Sequence, residues 1–99
     1  MKQLRSPWQQ AVARAVTSIP RGQTAGYALV ALLAGKPGAS RAVVAALREL
    51  EGVPWWRVIK SDGRVAEEMF AEQAPRLVRE GVVLTGHRVA AAHRWSPGR

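Results

Sequence analysis

The sequence predicts a small, mainly α-helical domain that contains a helix-turn-helix and a few short β-strands. In the first half of the chain, three segments carry apolar residues at helical spacing, and short turns rich in Gly and Pro separate them. The second half changes to short runs of β-favouring residues between turn signals. A length of 99 residues is that of one domain. We expect its core over about residues 6–84 and a basic C-terminal tail over residues 85–99.

The first helix is predicted to begin at Pro7. Ser6 can cap it, proline suits the first helical position, and Gln9 completes a capping box with Ser6. An apolar stripe with the spacing of one helix face follows, formed by Trp8, Ala11, Val12, Ala15, Val16 and Ile19. The sequence Pro20-Arg21-Gly22 then ends the helix.

Two further helices are predicted over about residues 25–34 and 41–49, each with an apolar face of leucines and valines. The turn between them spans residues 35–39, where Gly35 suits the positive φ that follows a helix end. Ser40 can cap the third helix. This is the pattern of a helix-turn-helix, although any small helical bundle also contains short helix hairpins.

Short elements are predicted after Pro54. Residues 55–59 are too few and too rich in β-favouring side chains for a helix, so we expect an extended segment. The turn signal Ser-Asp-Gly at residues 61–63 allows a short return strand at residues 64–65.

The remaining elements are less regular. The stretch 67–80 has a helical pattern, but Pro75 is expected to break it and to restart a helix of about two turns that ends before Gly81. A final strand is predicted over residues 82–84. Residues 90–99 are expected to be a frayed end or a basic arm.

The charge is distributed unevenly along the chain. The net charge is +8, and residues 1–48 contain seven basic residues and no acidic residue. All seven acidic residues lie between residues 49 and 84. A one-sided basic field favours a polyanionic partner, most often a nucleic acid. An anionic membrane surface and an acidic protein are the alternatives, and no long basic amphipathic helix supports the membrane.

Composition excludes several classes of site. The chain has no cysteine, which excludes disulfides, a thiolate nucleophile and any zinc site with cysteine ligands. The only histidines, His87 and His93, lie near the C-terminus and are too few for a histidine metal site. We therefore expect no metal and no cofactor. The sequence also lacks an apolar membrane span and a signal-peptide pattern, so a cytoplasmic protein is expected.

Two adjacent tryptophans, Trp55 and Trp56, make the most unusual local sequence. On an extended segment their side chains would point to opposite faces, so at least one is expected to line a cavity or the surface. An exposed tryptophan face can stack on a nucleic-acid base. The alternative, that both anchor the core, carries equal weight from these residues alone. Tyr27 and Arg41 are likewise unspecific when each is taken singly.

Together, these features form an ordered set of motifs. They are Ile19-Pro20-Arg21-Gly22, then Tyr27, then Gly35-Lys36-Pro37-Gly38-Ala39-Ser40-Arg41-Ala42-Val43, and then Pro54-Trp55-Trp56-Arg57-Val58. The set closely resembles the C-terminal domain of the O6-alkylguanine-DNA alkyltransferases over roughly residues 8–82. The family pattern reads Ile-Pro-x-Gly, Tyr, Gly-x-Pro-x-Ala-x-Arg-Ala-Val and Pro-Cys-His-Arg-Val. The resemblance implies a winged-helix-like fold.

The chain departs from the alkyltransferases at the nucleophile. Trp55 occupies the position of the family's cysteine, and Trp56 that of the histidine that activates it. Alkyl transfer needs a thiolate, which an indole cannot replace at neutral pH. The chain therefore resembles the alkyltransferase-like proteins, which keep the lesion pocket without the reaction, and no enzymatic activity is expected. Those relatives usually carry Pro-Trp-His-Arg, so Trp56 differs from them as well.

The resemblance also implies roles for individual residues. Tyr27 matches the tyrosine that crowds the 3′ phosphate and rotates the target nucleotide, and Arg41 matches the arginine finger that fills the gap left by the flipped base. Ser40 and Ala42 flank this finger, and Arg48 is a further DNA-binding candidate. The lesion pocket is expected to consist of Val53, Pro54, Trp55, Trp56, Arg57, Met69 and Phe70, with the arginine as a structural brace.

These inferences predict a non-enzymatic DNA-damage recognition protein. It would bind O6-alkylguanine in duplex DNA, flip the damaged nucleotide into the tryptophan-lined pocket and flag it for nucleotide excision repair. Its partners would be the damaged duplex and the excision-repair proteins, and it would act as a monomer, associated with the nucleoid when bound to DNA. The alternative is a sequence-reading helix-turn-helix regulator, which would require dimerisation and a palindromic site.

Overall fold

The computed structural model of the chain describes residues 4–98. Three helices, α1 (Pro7–Thr17), α2 (Tyr27–Leu33) and α3 (Ser40–Glu49), pack against one another. Their apolar faces meet in a first core cluster, whose most deeply buried members include Val12, Val16, Val30, Ala31 and Val43. The mainly helical fold class and the helix-turn-helix are therefore confirmed.

The start of α1 follows the local rules. The Ser6 hydroxyl accepts a hydrogen bond of 3.1 Å from the Gln9 backbone N–H, and the Gln9 side chain accepts one of 2.9 Å from the Ser6 N–H. Pro7 occupies the first helical position. The predicted capping box is confirmed, because it involves only neighbouring residues.

The second and third helices begin differently from the prediction. Residues 25 and 26 form strand β1 (Ala25–Gly26) instead of the first turn of α2, because they pair with a distant strand. Ser40 does not cap α3 either. It is the first helical residue, and the cap position belongs to Ala39, whose N–H closes the preceding turn on the Lys36 carbonyl.

The tryptophan segment is not extended at its start. Residues 55–57 form a 3-10 turn (Trp55–Arg57), closed by a 3.1 Å hydrogen bond from the Arg57 N–H to the Pro54 carbonyl. Strand β2 (Val58–Ile59) follows and pairs in parallel with β1, so that Ala25 lies opposite Val58. The prediction of an extended segment is therefore wrong for residues 55–57 and right for residues 58–59.

Helix α4 (Phe70–Arg79) continues through Pro75, after a 3-10 turn at Glu67–Met69. The prediction of a break at Pro75 is wrong. The buried Gln73 side chain donates hydrogen bonds of 2.9 Å and 2.7 Å to the carbonyls of Trp56 and Val58, and this tertiary contact holds the helix in place. It offsets the backbone hydrogen bond that the proline cannot make.

A hairpin and a docked segment complete the fold. Strands β3 (Leu84–Thr85) and β4 (Arg88–Val89) pair antiparallel, so the final strand begins two residues later than predicted. No return strand follows the turn at residues 61–63. Arg64 instead forms an isolated antiparallel bridge with Arg88, and the Val65 N–H donates a 2.8 Å hydrogen bond to the His87 carbonyl, so this segment pairs with the later hairpin.

The prediction of a frayed end is wrong for residues 90–95. The Thr24 N–H donates to the His93 carbonyl, and the Trp95 N–H donates to the Thr24 carbonyl, both at 2.7 Å. The Trp95 side chain packs against the first core cluster. Arg99, the last residue of the predicted tail, lies outside the described residues. Across residues 4–98, no helix is long and apolar enough to span a bilayer.

Candidate nucleic-acid interface

The exposed face of α3 presents two arginines. Arg41 and Arg48 are seven residues apart, two helical turns, and Ala45 lies on the same exposed face between them. Neither arginine has a hydrogen-bond or ion-pair partner within residues 4–98. This face therefore offers two uncompensated cations to a polyanion.

The predicted neighbours of Arg41 lie at the start of α3. Ala42 is exposed and Ser40 is half-buried. The Trp8 indole N–H donates a 3.1 Å hydrogen bond to the Ala42 carbonyl, and the Lys36 ammonium lies 4.9 Å from the centre of the Trp8 ring. Through these contacts α1 and the turn fix the beginning of α3. The small side chains beside Arg41 leave space for a surface to approach the arginine closely.

Tyr27 is the first residue of α2 and is half-buried against the first core cluster. Burial raises the pKa of its hydroxyl above the ordinary value, the charge of Glu68 raises it further, and the charge of Arg48 opposes both. The hydroxyl is therefore protonated at neutral pH and can donate a hydrogen bond.

Trp55 and Trp56 are both half-buried and meet edge to face, with ring centres 6.1 Å apart and planes at 84°. Trp55 packs against the first core cluster. Trp56 packs against a second cluster formed by Ile59, Val65, Leu77, Val82 and Val89. The expectation that the two side chains point to opposite faces is wrong, because the 3-10 turn brings their rings into contact.

A buried carboxylate lies behind the tryptophan pair. The Glu80 side chain, 4% exposed, accepts hydrogen bonds from Arg57 Nε at 2.9 Å, Arg57 Nη2 at 2.8 Å and Trp56 Nε1 at 2.9 Å. Arg57 also donates to the Ile19 carbonyl at 3.0 Å. The Arg57 hydrogen bonds lower the pKa of Glu80 to about 2, burial opposes them, and the Trp56 and Gly22 N–H groups add to the lowering. Arg57 thus links the tryptophan turn to Glu80 and to the segment after α1 through side-chain hydrogen bonds.

Sequence reasoning missed Glu80. Its partners Trp56 and Arg57 are more than twenty residues away in the chain, and no local pattern marks a carboxylate before a glycine as a site residue. Trp56 was the one indication in the sequence, because a half-buried indole N–H needs a hydrogen-bond acceptor and so implies one elsewhere in the chain.

A surface cavity of about 690 Å³ opens beside the tryptophans. Its lining combines the end of α1, the residues after α3 and the tryptophan turn: Thr17, Leu50, Glu51, Gly52, Val53, Pro54, Trp55, Trp56 and Arg57. Five of the seven predicted pocket residues therefore share one concave surface. The tryptophans are not sealed in the interior.

The other two predicted pocket residues lie elsewhere. Met69 and Phe70 stand where the 3-10 turn passes into α4, and neither lines this cavity. Phe70 stacks on His87 of the hairpin, with ring centres 4.1 Å apart and planes at 8°. It packs against the second cluster together with Trp56. Tyr27 is also absent from the cavity lining. Met69 and Phe70, two of the seven predicted pocket residues, therefore lie outside the cavity lining.

Fold and site together define a helix-turn-helix nucleic-acid-binding domain with an aromatic cavity at the C-terminal end of its third helix. Residues 7–82 match the family described as 6-O-methylguanine DNA methyltransferase, DNA binding domain. The chain belongs to this family, and the resemblance seen in the sequence is confirmed.

Named relatives support this assignment. The chain is 34% identical over 89 residues to a DNA base-flipping protein of Vibrio parahaemolyticus, covering 83% of this chain and 89% of the relative. It is 38% identical over 82 residues to a DNA base-flipping protein of Escherichia coli, covering 78% of this chain and 64% of that protein.

Solved structures agree in fold. S. pombe Atl1, in complex with damaged DNA containing O6-carboxymethylguanine, superposes with a TM-score of 0.80 at 30% identity, covering 95% of this chain and all of that one. The O6-methylguanine methyltransferase of Mycobacterium tuberculosis gives a TM-score of 0.68 at 31% identity, over 80% of this chain and 51% of the enzyme. The present sequence contains no cysteine, so its 99 residues offer no thiolate to accept an alkyl group.

Proposed function

We propose that the protein binds duplex DNA containing O6-alkylguanine, flips the damaged nucleotide out of the helix and holds it against the tryptophan pair without removing the alkyl group. The observation that carries this proposal is the half-exposed pair Trp55–Trp56 beside an open cavity, in a chain that has no cysteine. The base-flipping relatives and the Atl1 complex with damaged DNA support it.

Arg41 and Tyr27 would act on the duplex. Arg41 has no intramolecular partner in the described part of the chain, so it can enter the base stack and fill the gap without breaking an internal contact. Tyr27 would press against the 3′ phosphate and rotate the nucleotide, while Ser40 and Ala42 allow close approach and Arg48 contacts the backbone. Flipping costs a few kcal/mol, and less for a base whose pairing alkylation has weakened, so damaged guanine is favoured.

The tryptophan pair would hold the extruded base. Stacking on an aromatic side chain contributes about 1–3 kcal/mol per base, which is comparable to the cost of flipping. Trp55 and Trp56, with Val53, Pro54 and Arg57, would form one wall of the lesion site. We also propose that Met69 and Phe70, where the 3-10 turn passes into α4, contribute to the lesion site.

A paired titration tests this function. Two duplexes of identical sequence, one with O6-methylguanine and one with guanine, are titrated by fluorescence anisotropy at one stated salt concentration, because DNA affinity depends on salt. We expect tighter binding of the lesion duplex, and the lesion recovered intact by mass spectrometry. Equal affinity for both duplexes, or a preference for one palindromic sequence by a dimer, would instead favour a sequence-reading regulator.

A protein that holds a lesion without removing it leaves the repair step to others. We propose that the bound complex is handed to nucleotide excision repair proteins, and that the protein works as a cytoplasmic monomer associated with the nucleoid when it is on DNA. The test is the incision rate of a purified excision-repair nuclease on an O6-methylguanine duplex. The rate should rise when this protein is added and stay unchanged on the undamaged duplex.

A further inference from the structure

One arginine outside the predicted site lies directly over the tryptophan pair. The Arg76 guanidinium is 5.6 Å from the centre of the Trp55 ring and 5.2 Å from the centre of the Trp56 ring. Both distances are within the range of cation–π attraction. Arg76 projects from the exposed side of α4, where the side chain could extend into solvent. The two rings instead hold its charged end at the edge of the lesion site.

The charge of Arg76 is not neutralised. Arg57, the other cation near Trp56, is paired with the buried Glu80 at 2.8 Å. Arg76 forms no ion pair within residues 4–98, and Glu72, one turn earlier on α4, does not pair with it. One of the two guanidiniums near the tryptophan pair is therefore compensated by a carboxylate, whereas that of Arg76 carries a positive charge with no carboxylate partner within residues 4–98.

We propose that Arg76 is a specificity-determining residue of the lesion site and that it favours O6 adducts carrying a negative charge, such as a carboxymethyl group, over neutral alkyl groups. This inference rests on the proposed function. A guanidinium binds a carboxylate through two parallel hydrogen bonds that are stronger than those between neutral groups. Because the rings already hold the guanidinium, less side-chain freedom is lost when an adduct binds.

The geometry favours this role over a contact with the DNA backbone. A residue that only binds phosphate needs no fixed position over aromatic rings and contributes equally to every duplex. Arg76 instead lies over both aromatic rings, so a base that stacks on the tryptophans would come close to its guanidinium. Its effect is therefore expected to depend on the adduct.

Three duplexes of identical sequence test the proposal, with guanine, O6-methylguanine or O6-carboxymethylguanine at one position. For the unaltered protein we expect the carboxymethyl duplex to bind about tenfold more tightly than the methyl duplex, the size of effect that one charge-assisted hydrogen bond provides. Arg76→Gln should abolish this ratio, because it should weaken binding of the carboxymethyl duplex more than binding of the methyl duplex. Arg76→Lys should keep part of the ratio, because its positive charge remains.

Arg79→Gln is the matched control. It removes one positive charge from the exposed side of the same helix and has no aromatic contact in the structure. It should leave the carboxymethyl-to-methyl ratio unchanged. Thermal unfolding of each variant establishes that it is folded at the assay temperature.

Several outcomes would overturn the proposal. One is that the unaltered protein shows no preference for the carboxymethyl duplex. Another is that Arg76→Gln loses the same affinity for all three duplexes. The third is that the carboxymethyl-to-methyl affinity ratio of Arg76→Lys is no higher than that of Arg76→Gln. Failure of the proposed function looks different. In that case the unaltered protein would not distinguish either adduct from guanine.

Discussion

The indole N–H of Trp56 donates a 2.9 Å hydrogen bond to Glu80, the same carboxylate that Arg57 holds through two of its nitrogens. The polar edge of Trp56 is therefore turned toward the interior and its apolar faces are left for contact. Glu80 fixes the ring in this orientation, so that one buried charge determines the shape of the cavity wall.

Glu80→Gln should destabilise the fold, because an amide cannot replace both acceptor oxygens of the carboxylate. The substitution also removes the counter-ion of Arg57, whose side chain is only 14% exposed. Removing one partner of a buried pair costs about 3–5 kcal/mol of stability. Because the amide oxygen can still accept a hydrogen bond, we expect the loss for this variant to lie near the lower limit of that range. Urea unfolding measures the loss. Glu72→Gln, an exposed change on α4, is the control and should stay within about 0.5 kcal/mol.

Stability should also decrease at low pH through the same group. The pKa of Glu80 is lowered from its ordinary value of 4.5 to about 2 in the folded protein, chiefly by the Arg57 hydrogen bonds. Its contribution is therefore fully present above about pH 4.5 and is lost as the pH falls toward 2, by about 3 kcal/mol at most. Denaturant unfolding at a series of pH values measures this. A Glu80→Gln variant whose stability falls just as steeply over that window would contradict the assignment.

Local rules predicted the elements that depend on near neighbours. The capping box of Ser6 and Gln9 and the apolar stripe of α1 act within one or two turns, so the sequence was sufficient to place that helix. The continuation of α4 through Pro75 depends on Gln73, which reaches carbonyls fifteen and seventeen residues away. A rule that considers only the residues beside a proline cannot include that contact.

The candidate site also combines residues that could be identified from the sequence with contacts that depend on the tertiary fold. The motif positions of Tyr27, Arg41 and Trp55 could be identified from the sequence. The edge-to-face contact of the tryptophans could not, because it depends on a 3-10 turn that leads into a parallel strand pair with β1. Arg76 was also missed, since only the packing of α4 against the tryptophan turn brings it over the rings.

Arg41→Ala should weaken binding of an O6-methylguanine duplex about tenfold or more, a loss of roughly 1–3 kcal/mol such as one good contact supplies. The side chain is exposed and unpaired in the described structure, so removing it should leave the fold intact. Fluorescence anisotropy measures the affinity. Arg79→Ala removes the same charge from another exposed helix position and should cost far less. Equal losses in the two variants would mean that Arg41 contributes only general charge.

Two substitutions of Tyr27 should distinguish the contribution of its ring to lesion binding from that of its hydroxyl. Tyr27→Ala should weaken lesion binding about tenfold, because the bulk that rotates the nucleotide is lost. Tyr27→Phe keeps that bulk and should bind more tightly than Tyr27→Ala. A fluorescent base analogue next to the lesion reports how far the nucleotide is flipped in each complex. If both variants bind and flip like the unaltered protein, the role assigned to Tyr27 is wrong.

Trp55→Cys should not convert the protein into an alkyltransferase, although it places a thiol at the family's nucleophile position. A thiol with an ordinary pKa is mostly protonated at neutral pH, and a neighbouring base normally activates it. Position 56 holds an indole whose only N–H is already donated to Glu80, so it cannot accept the proton. Incubation with duplex DNA carrying a radiolabelled O6-methyl group should leave the label on the DNA. Label transferred to Trp55→Cys at a rate comparable to that of an alkyltransferase would show that activation does not require the histidine.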